Sequence, residues 1–196
     1  MWRWLLIIVV IFFGWRHCST AEIDYAAPDK VIENAPQQTE LAEITPIPFD
    51  YYVIQPMAEF RLEARVLARE DYHFGREADL SPTDLVLGWG KMADPQVLKQ
   101  ITIRQSGRWY FWQVESFPIP RRSIETQSAN MHFIPANDEV ARTLKQIRPG
   151  QLITLQGYLV NVNAEDGWRW RSSLSREDTG ANACELIFVK QLKIIS

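Results

Sequence analysis

The chain has 196 residues, 46% of them apolar and 23% charged, enough for one domain with a sizeable core plus extensions. Its formal net charge of -3 argues against the strongly basic field that nucleic-acid binding needs, and the basic clusters at Arg121 and Arg122 and at Arg169, Arg171 and Arg176 read as solvated faces. Eight tryptophans is a high count, and their amphipathic rings suit half-buried positions or the walls of a groove.

The N-terminus opens with MWRW, runs through LLIIVVIFF and continues as GWRHCSTA. One arginine, an apolar run and a small-residue stretch form the pattern of an export signal. The run from Trp4 to Trp15 makes roughly 18 Å of helix, short of the ~30 Å hydrocarbon core of a bilayer. Residues 1–21 are therefore expected to be a signal peptide cleaved after Ala21, or else a short membrane anchor. The mature protein would be periplasmic or anchored in the inner membrane, facing outward. Trp15, Arg16 and His17 before Cys18 do not form a lipobox. Cleavage would remove Cys18 and leave Cys184 alone in an oxidising compartment, either as a buried, inert side chain or as a reactive thiol.

Residues 22–56 carry Pro28, Pro36, Pro46 and Pro48 among acids and glutamines and read as an extended linker. A single globular domain is expected over residues 57–196. Phe60, Leu62, Ala64 and Val66 alternate with charged residues as in a half-buried strand. Residues 69–79 form a polar excursion. Ser81-Pro82-Thr83-Asp84 predicts a short helix with a capping box, and Asp94-Pro95 predicts a second. ITIRQ and RWYFWQV predict a hairpin, and residues 116–136 an irregular stretch. NDEVARTLKQI predicts the main helix, capped by Asn137 and ended by Pro149-Gly150. LITLQGYLVNV predicts a long strand bent at its glycine, WRWRSSL a strand with Trp168 and Trp170 on one face, and ELIFVKQLKII the last strand.

These elements imply an α+β fold, mainly antiparallel β: a curved or partly closed, barrel-like sheet with one main helix. A helix between the third and fourth strands resembles the OB-fold barrel, an analogy of fold that carries no function.

Three segments hold the unusual residues. LGWGKMAD, residues 87–94, sets Trp89 between glycines but lacks phosphate-loop spacing. SANMHFIPAN, residues 128–137, holds His132, with Asn130 on the same face of an extended chain. SSLSREDTGANACE, residues 172–185, holds Arg176, Asp178 and Cys184. Its DTG triplet lacks the paired aspartates and apolar surroundings of an aspartic protease, and reads as a polar turn. Asp71, His73, Glu77 and Asp79 lie on a polar loop and do not make a closed metal site, so no metal or cofactor is expected. The three segments together resemble a group of bacterial exported or membrane-anchored proteins with no established activity, over roughly residues 60–190. The resemblance implies an envelope protein and transfers no site residues.

Two functions follow from the residues. In the first, a non-enzymatic envelope domain contacts a partner protein, a glycan or another extended ligand through Trp89, Trp109, Trp112, Trp168, Trp170 and Arg176. In the second, a small hydrolase or transferase uses Cys184 as nucleophile, His132 as base, and Asn130 or Asp178 to orient the imidazole. An OB-like oligonucleotide binder would need a basic groove, which the charge balance does not supply.

Overall fold

A computed structural model describes residues 32–175, 177 and 183–195. The expected signal or anchor, the first part of the linker, and Arg176, Asp178, Thr179 and Gly180 lie outside the described residues. Among those described, no helix is long and apolar enough to cross a membrane.

The fold is mainly antiparallel β with four short α-helices among the described residues. β1 (Gln37–Glu40) and β2 (Ile47–Phe49) lead into β3 (Tyr52–Asp71), the longest strand. α1 (Arg76–Leu80) and β4 (Thr83–Gly88) follow, then a 3-10 turn (Gly90–Ala93), α2 (Pro95–Leu98) and the hairpin β5 (Thr102–Ser106) and β6 (Trp109–Gln113). The chain continues as α3 (Arg121–Thr126), β7 (Ser128–Pro135), α4 (Asp138–Gln146), β8 (Leu152–Ala164), β9 (Arg169–Arg171) and β10 (Glu185–Ile194).

The pairings β3–β4, β4–β7, β7–β10, β10–β8 and β8–β3 run in a ring, with β7–β10 parallel and the others antiparallel. β3 supports this because its alternation puts Phe60, Leu62, Ala64 and Val66 on the inner face, all buried. They meet Leu85 and Leu87 of β4, Met131 and Phe133 of β7, Leu155 and Leu159 of β8, and Ile187 and Val189 of β10 in one core cluster. α4 lays Val140 and Leu144 against the same cluster, with Ile147 just beyond its end. Register shifts at Pro56/Ala58 and Val66/Ala68 in β3 and at Val189/Gln191 in β10 bend the strands toward closure.

Several expectations hold, and several are corrected. The hairpin, the Asp94-capped helix, the main helix and the last strands stand where the residues place them. Ser81-Pro82-Thr83-Asp84 starts strand β4, not a helix. All of β4 is buried, so both of its faces are covered and the alternation that marks a strand is missing. Residues 116–136 are not irregular: they contain α3 and the buried strand β7. The polar excursion at residues 69–79 contains the end of β3 and α1. Within the stretch read as a linker, β1 and β2 pair with β3, and β3 itself begins at Tyr52. The folded sheet thus reaches further toward the N-terminus than Met57.

Gly157 occupies the point where β8 presses on β10. A Cβ there would lie 2.2 Å from the carbonyl oxygen of Phe188. Backbone cannot yield as a flexible side chain does, so Gly157→Ala should cost about 1–3 kcal/mol of stability, read from the midpoint of a urea unfolding curve.

Candidate functional site

The outer face of β4 and β7 carries a polar cluster. Asp84 and His132 are opposite one another in the β4–β7 register, between inward-pointing Leu85, Met131 and Phe133. Asp84 is fully buried, and its Oδ2 lies 2.9 Å from Nδ1 of His132. The charge that balances Asp84 comes from Arg108, in the turn of the β5–β6 hairpin. Its guanidinium contacts Asp84 Oδ1 at 2.8 Å and Glu77 at 3.0 Å, and donates to the Ser81 carbonyl at 3.1 Å. It lies over the Tyr72 ring at 4.0 Å and the Trp170 ring at 5.0 Å. The Arg108 amide donates to the Tyr72 hydroxyl, which donates to Glu70, each over 2.8 Å. Burial, with the Asp84 charge and the Glu70 hydrogen bond, pushes the Tyr72 hydroxyl far above the usual phenol range.

This grip holds the hairpin against the ring, where Tyr110 and Trp112 pack beside Leu67, Val86, Met92, Ile119 and Ile124. Between β6, α3, β7 and the start of β10 a cleft of about 460 Å³ remains. Its walls include Trp89, Trp109, Tyr110, Phe111 and Trp112. Its polar lining includes Arg121 and Glu125, which pair at 2.7 Å, and Ser128, Asn130, Cys184 and Glu185.

The polar groups at the floor are largely occupied by one another. Ser128 Oγ donates to the Ile124 carbonyl at 2.7 Å, so Tyr110 is the donor in the 3.1 Å contact between their hydroxyls. Burial raises the Tyr110 hydroxyl above its ordinary value, which keeps it a donor. Asn130 accepts from Gln105 at 2.7 Å and donates to the Arg108 carbonyl at 2.9 Å, with the Cys184 sulfur 3.9 Å from the same amide.

The structure therefore brings together Trp89, Trp109, Trp112, Asn130 and Cys184, and places His132, Trp168 and Trp170 elsewhere. Cys184 is engaged by Asn130 and the Arg108 carbonyl, each at 3.9 Å. His132 is engaged by Asp84 and by the Trp170 ring at 5.0 Å, and it does not line the cleft. Trp168 and Trp170 pack on each other at 6.1 Å, with Tyr52 against Trp168. Asp71 pairs with Arg69, and Glu77 with Arg108. No group of three ligand-type side chains is placed to hold a metal ion among the described residues. Asp84, Arg108, Tyr110 and Phe111 were not legible as site residues. The run WYFW carried the one available signal for the last two.

Comparisons with protein-family models, curated protein sequences and solved structures found no match to this chain.

Two outcomes test this geometry. Arg108→Ala leaves Asp84 as a buried charge without its guanidinium partner and should cost about 3–5 kcal/mol. Adding Asp84→Ala should recover part of that loss, read as a double-mutant cycle in urea. In a Cys18→Ser background, a thiol reagent should label Cys184 in the native protein, because it lines the cleft. His132→Ala should change that rate less than Asn130→Ala does.

Proposed function

We propose that this chain is a binding domain whose cleft beside β6 takes an extended ligand, carried on an OB-like barrel formed by the ring of strands. The order β3–β4–β7–β10–β8, with a helix between the third and fourth ring strands, supports that fold reading. OB-folds bind oligosaccharides and oligonucleotides on the face of ring strands two and three, here β4 and β7, and the cleft lies against β7. The N-terminal pattern and the resemblance to exported bacterial proteins put the proposed site of action in the cell envelope, with a glycan or a partner protein as ligand.

One observation carries the reading: five aromatic residues line one cleft whose described charged residues are the paired Arg121 and Glu125 together with Glu185, with no excess of positive charge. Aromatic walls give contact area at low entropic cost, and a lining with no excess of positive charge offers nothing to a phosphate backbone. A thiol-dependent enzyme has less support, since His132, the expected base, does not line the cleft that Cys184 lines.

Tryptophan fluorescence should change on titration with members of two panels, neutral chito-oligosaccharides and random extended peptides. Phe111→Ala should weaken whichever ligand binds by about tenfold or more, while Trp168→Ala, remote from the cleft, should leave it unchanged. Equal losses from both variants, or no response to either panel, would sink the proposal.

A further inference from the structure

We infer that the ligand of this cleft is an extended polypeptide segment that adds as a strand to the open edge of β6; this rests on the binding-domain reading above. The reason lies in which residues line the cleft. Trp109, Tyr110, Phe111 and Trp112 are consecutive, yet all four line it. Successive side chains of a strand point to opposite faces. A cleft bordered by four in a row therefore looks onto the strand's edge, not onto either face.

The register says which backbone groups lie there. β5 and β6 join through Gly107 and Arg108, both at positive φ, as a two-residue hairpin. Ser106 and Trp109 are then a hydrogen-bonded pair, and so are Arg104 with Phe111 and Thr102 with Gln113. Tyr110 and Trp112 belong to the intervening pairs, so their N–H and C=O groups point away from β5. The Arg108 carbonyl, in phase with them, is contacted by Asn130 and Cys184, two residues of the cleft wall. Hence the outward groups of Tyr110 and Trp112 face the cleft. In the sheet they have no strand partner: β6 pairs with β5 alone among the described residues.

A row of donors and acceptors two residues apart is matched by another extended backbone. A sugar ring meets aromatic faces but has no such period. The aromatic walls favour a segment with apolar side chains at alternate positions. A second copy of this chain, pairing edge to edge, is the competing occupant.

The test selects peptides from a phage-displayed random library on the purified full chain, then measures affinity and amide exchange. Binding should slow exchange of the Tyr110 and Trp112 amides at least tenfold and leave that of Phe111, already bonded across the hairpin, little changed. N-methylating alternate residues of the peptide should weaken binding about tenfold or more in one phase and little in the other. Trp112→Pro removes the outward N–H without breaking a bond to β5. It should weaken binding about tenfold beyond Trp112→Ala, which keeps that N–H. Selected peptides that bind equally in both methylation phases, or leave the Tyr110 and Trp112 amides unprotected, overturn strand addition while the cleft remains a binding site. Binding of chito-oligosaccharides with no peptide selected does the same. Amide protection that rises with protein concentration in the absence of peptide assigns the edge to a second copy and overturns the peptide assignment. No ligand from either panel and no self-association removes both readings.

Discussion

The Asp84–Arg108 ion pair is the constraint on which the candidate site depends. A fully buried carboxylate on the outer wall of the ring cannot be left unbalanced, and the balancing guanidinium comes from the tip of a hairpin 24 residues further on. Satisfying the charge therefore fixes the hairpin. Arg108 occupies a left-handed conformation that a non-glycine residue rarely adopts, with φ of 70°. Its side chain meets Asp84, Glu77, Ser81, Tyr72 and Trp170, and its amide and carbonyl are also held. So many partners over-determine a strained turn, which is the condition for such strain to persist.

An open strand edge in a folded protein is ordinarily a liability, because it invites pairing with any exposed chain. Proteins blunt such edges with charge, proline, bulges or cover. β6 carries none of the first three: its residues are Trp109, Tyr110, Phe111, Trp112 and Gln113. The available protection is recess, since α3, β7 and the start of β10 form the opposite wall of the cleft. A recessed, aromatic, uncharged edge is guarded against casual aggregation and remains open to a segment that fits the recess. That combination is what separates a binding edge from an unprotected one.

How much of this was legible in the sequence turned on how local each interaction is. Asp94 accepts from the Gln96 amide at 2.8 Å and Asn137 from the Val140 amide at 3.0 Å, so both helix starts were readable from neighbours in the chain. Ser81-Pro82-Thr83-Asp84 has the same letters as a helix start, but the partner that decides Asp84 is Arg108, far along the chain. β4 and β7 were missed for a related reason. Strands covered on both faces lose the two-residue alternation, and here the ring core lies on one side and the hairpin on the other. The curved sheet and its main helix could be read without them, while the ring could not, since each of its closing pairings beyond β3–β8 and β10–β8 involves β4 or β7. The cleft was half legible. Trp109, Trp112, Asn130 and Cys184 were visible as candidates, though Asn130 was expected to orient His132, whereas Trp168 and Trp170 share a face, as expected, in a different cluster.

The hydrogen-bond economy of the cleft narrows what it can recognise. The Asn130 amide nitrogen contacts the Arg108 carbonyl and the Cys184 sulfur, its oxygen accepts from Gln105, and Ser128 is held between Tyr110 and Ile124. Side chains so engaged can read a ligand only by giving up bonds they already make, and each buried group left unmade costs about 1–3 kcal/mol. Recognition then falls to groups whose partners are not yet supplied. They include the aromatic faces, which give area without direction, and the outward N–H and C=O groups of β6, which have no strand partner among the described residues and give direction at a fixed spacing. A ligand that uses both must be extended, must present its own backbone in register, and must alternate side chains toward and away from the tryptophan wall. The ion pair that anchors the hairpin and the engaged polar floor beneath it thus act together: one sets where the edge lies, and the other leaves that edge as a directional feature that still lacks a strand partner.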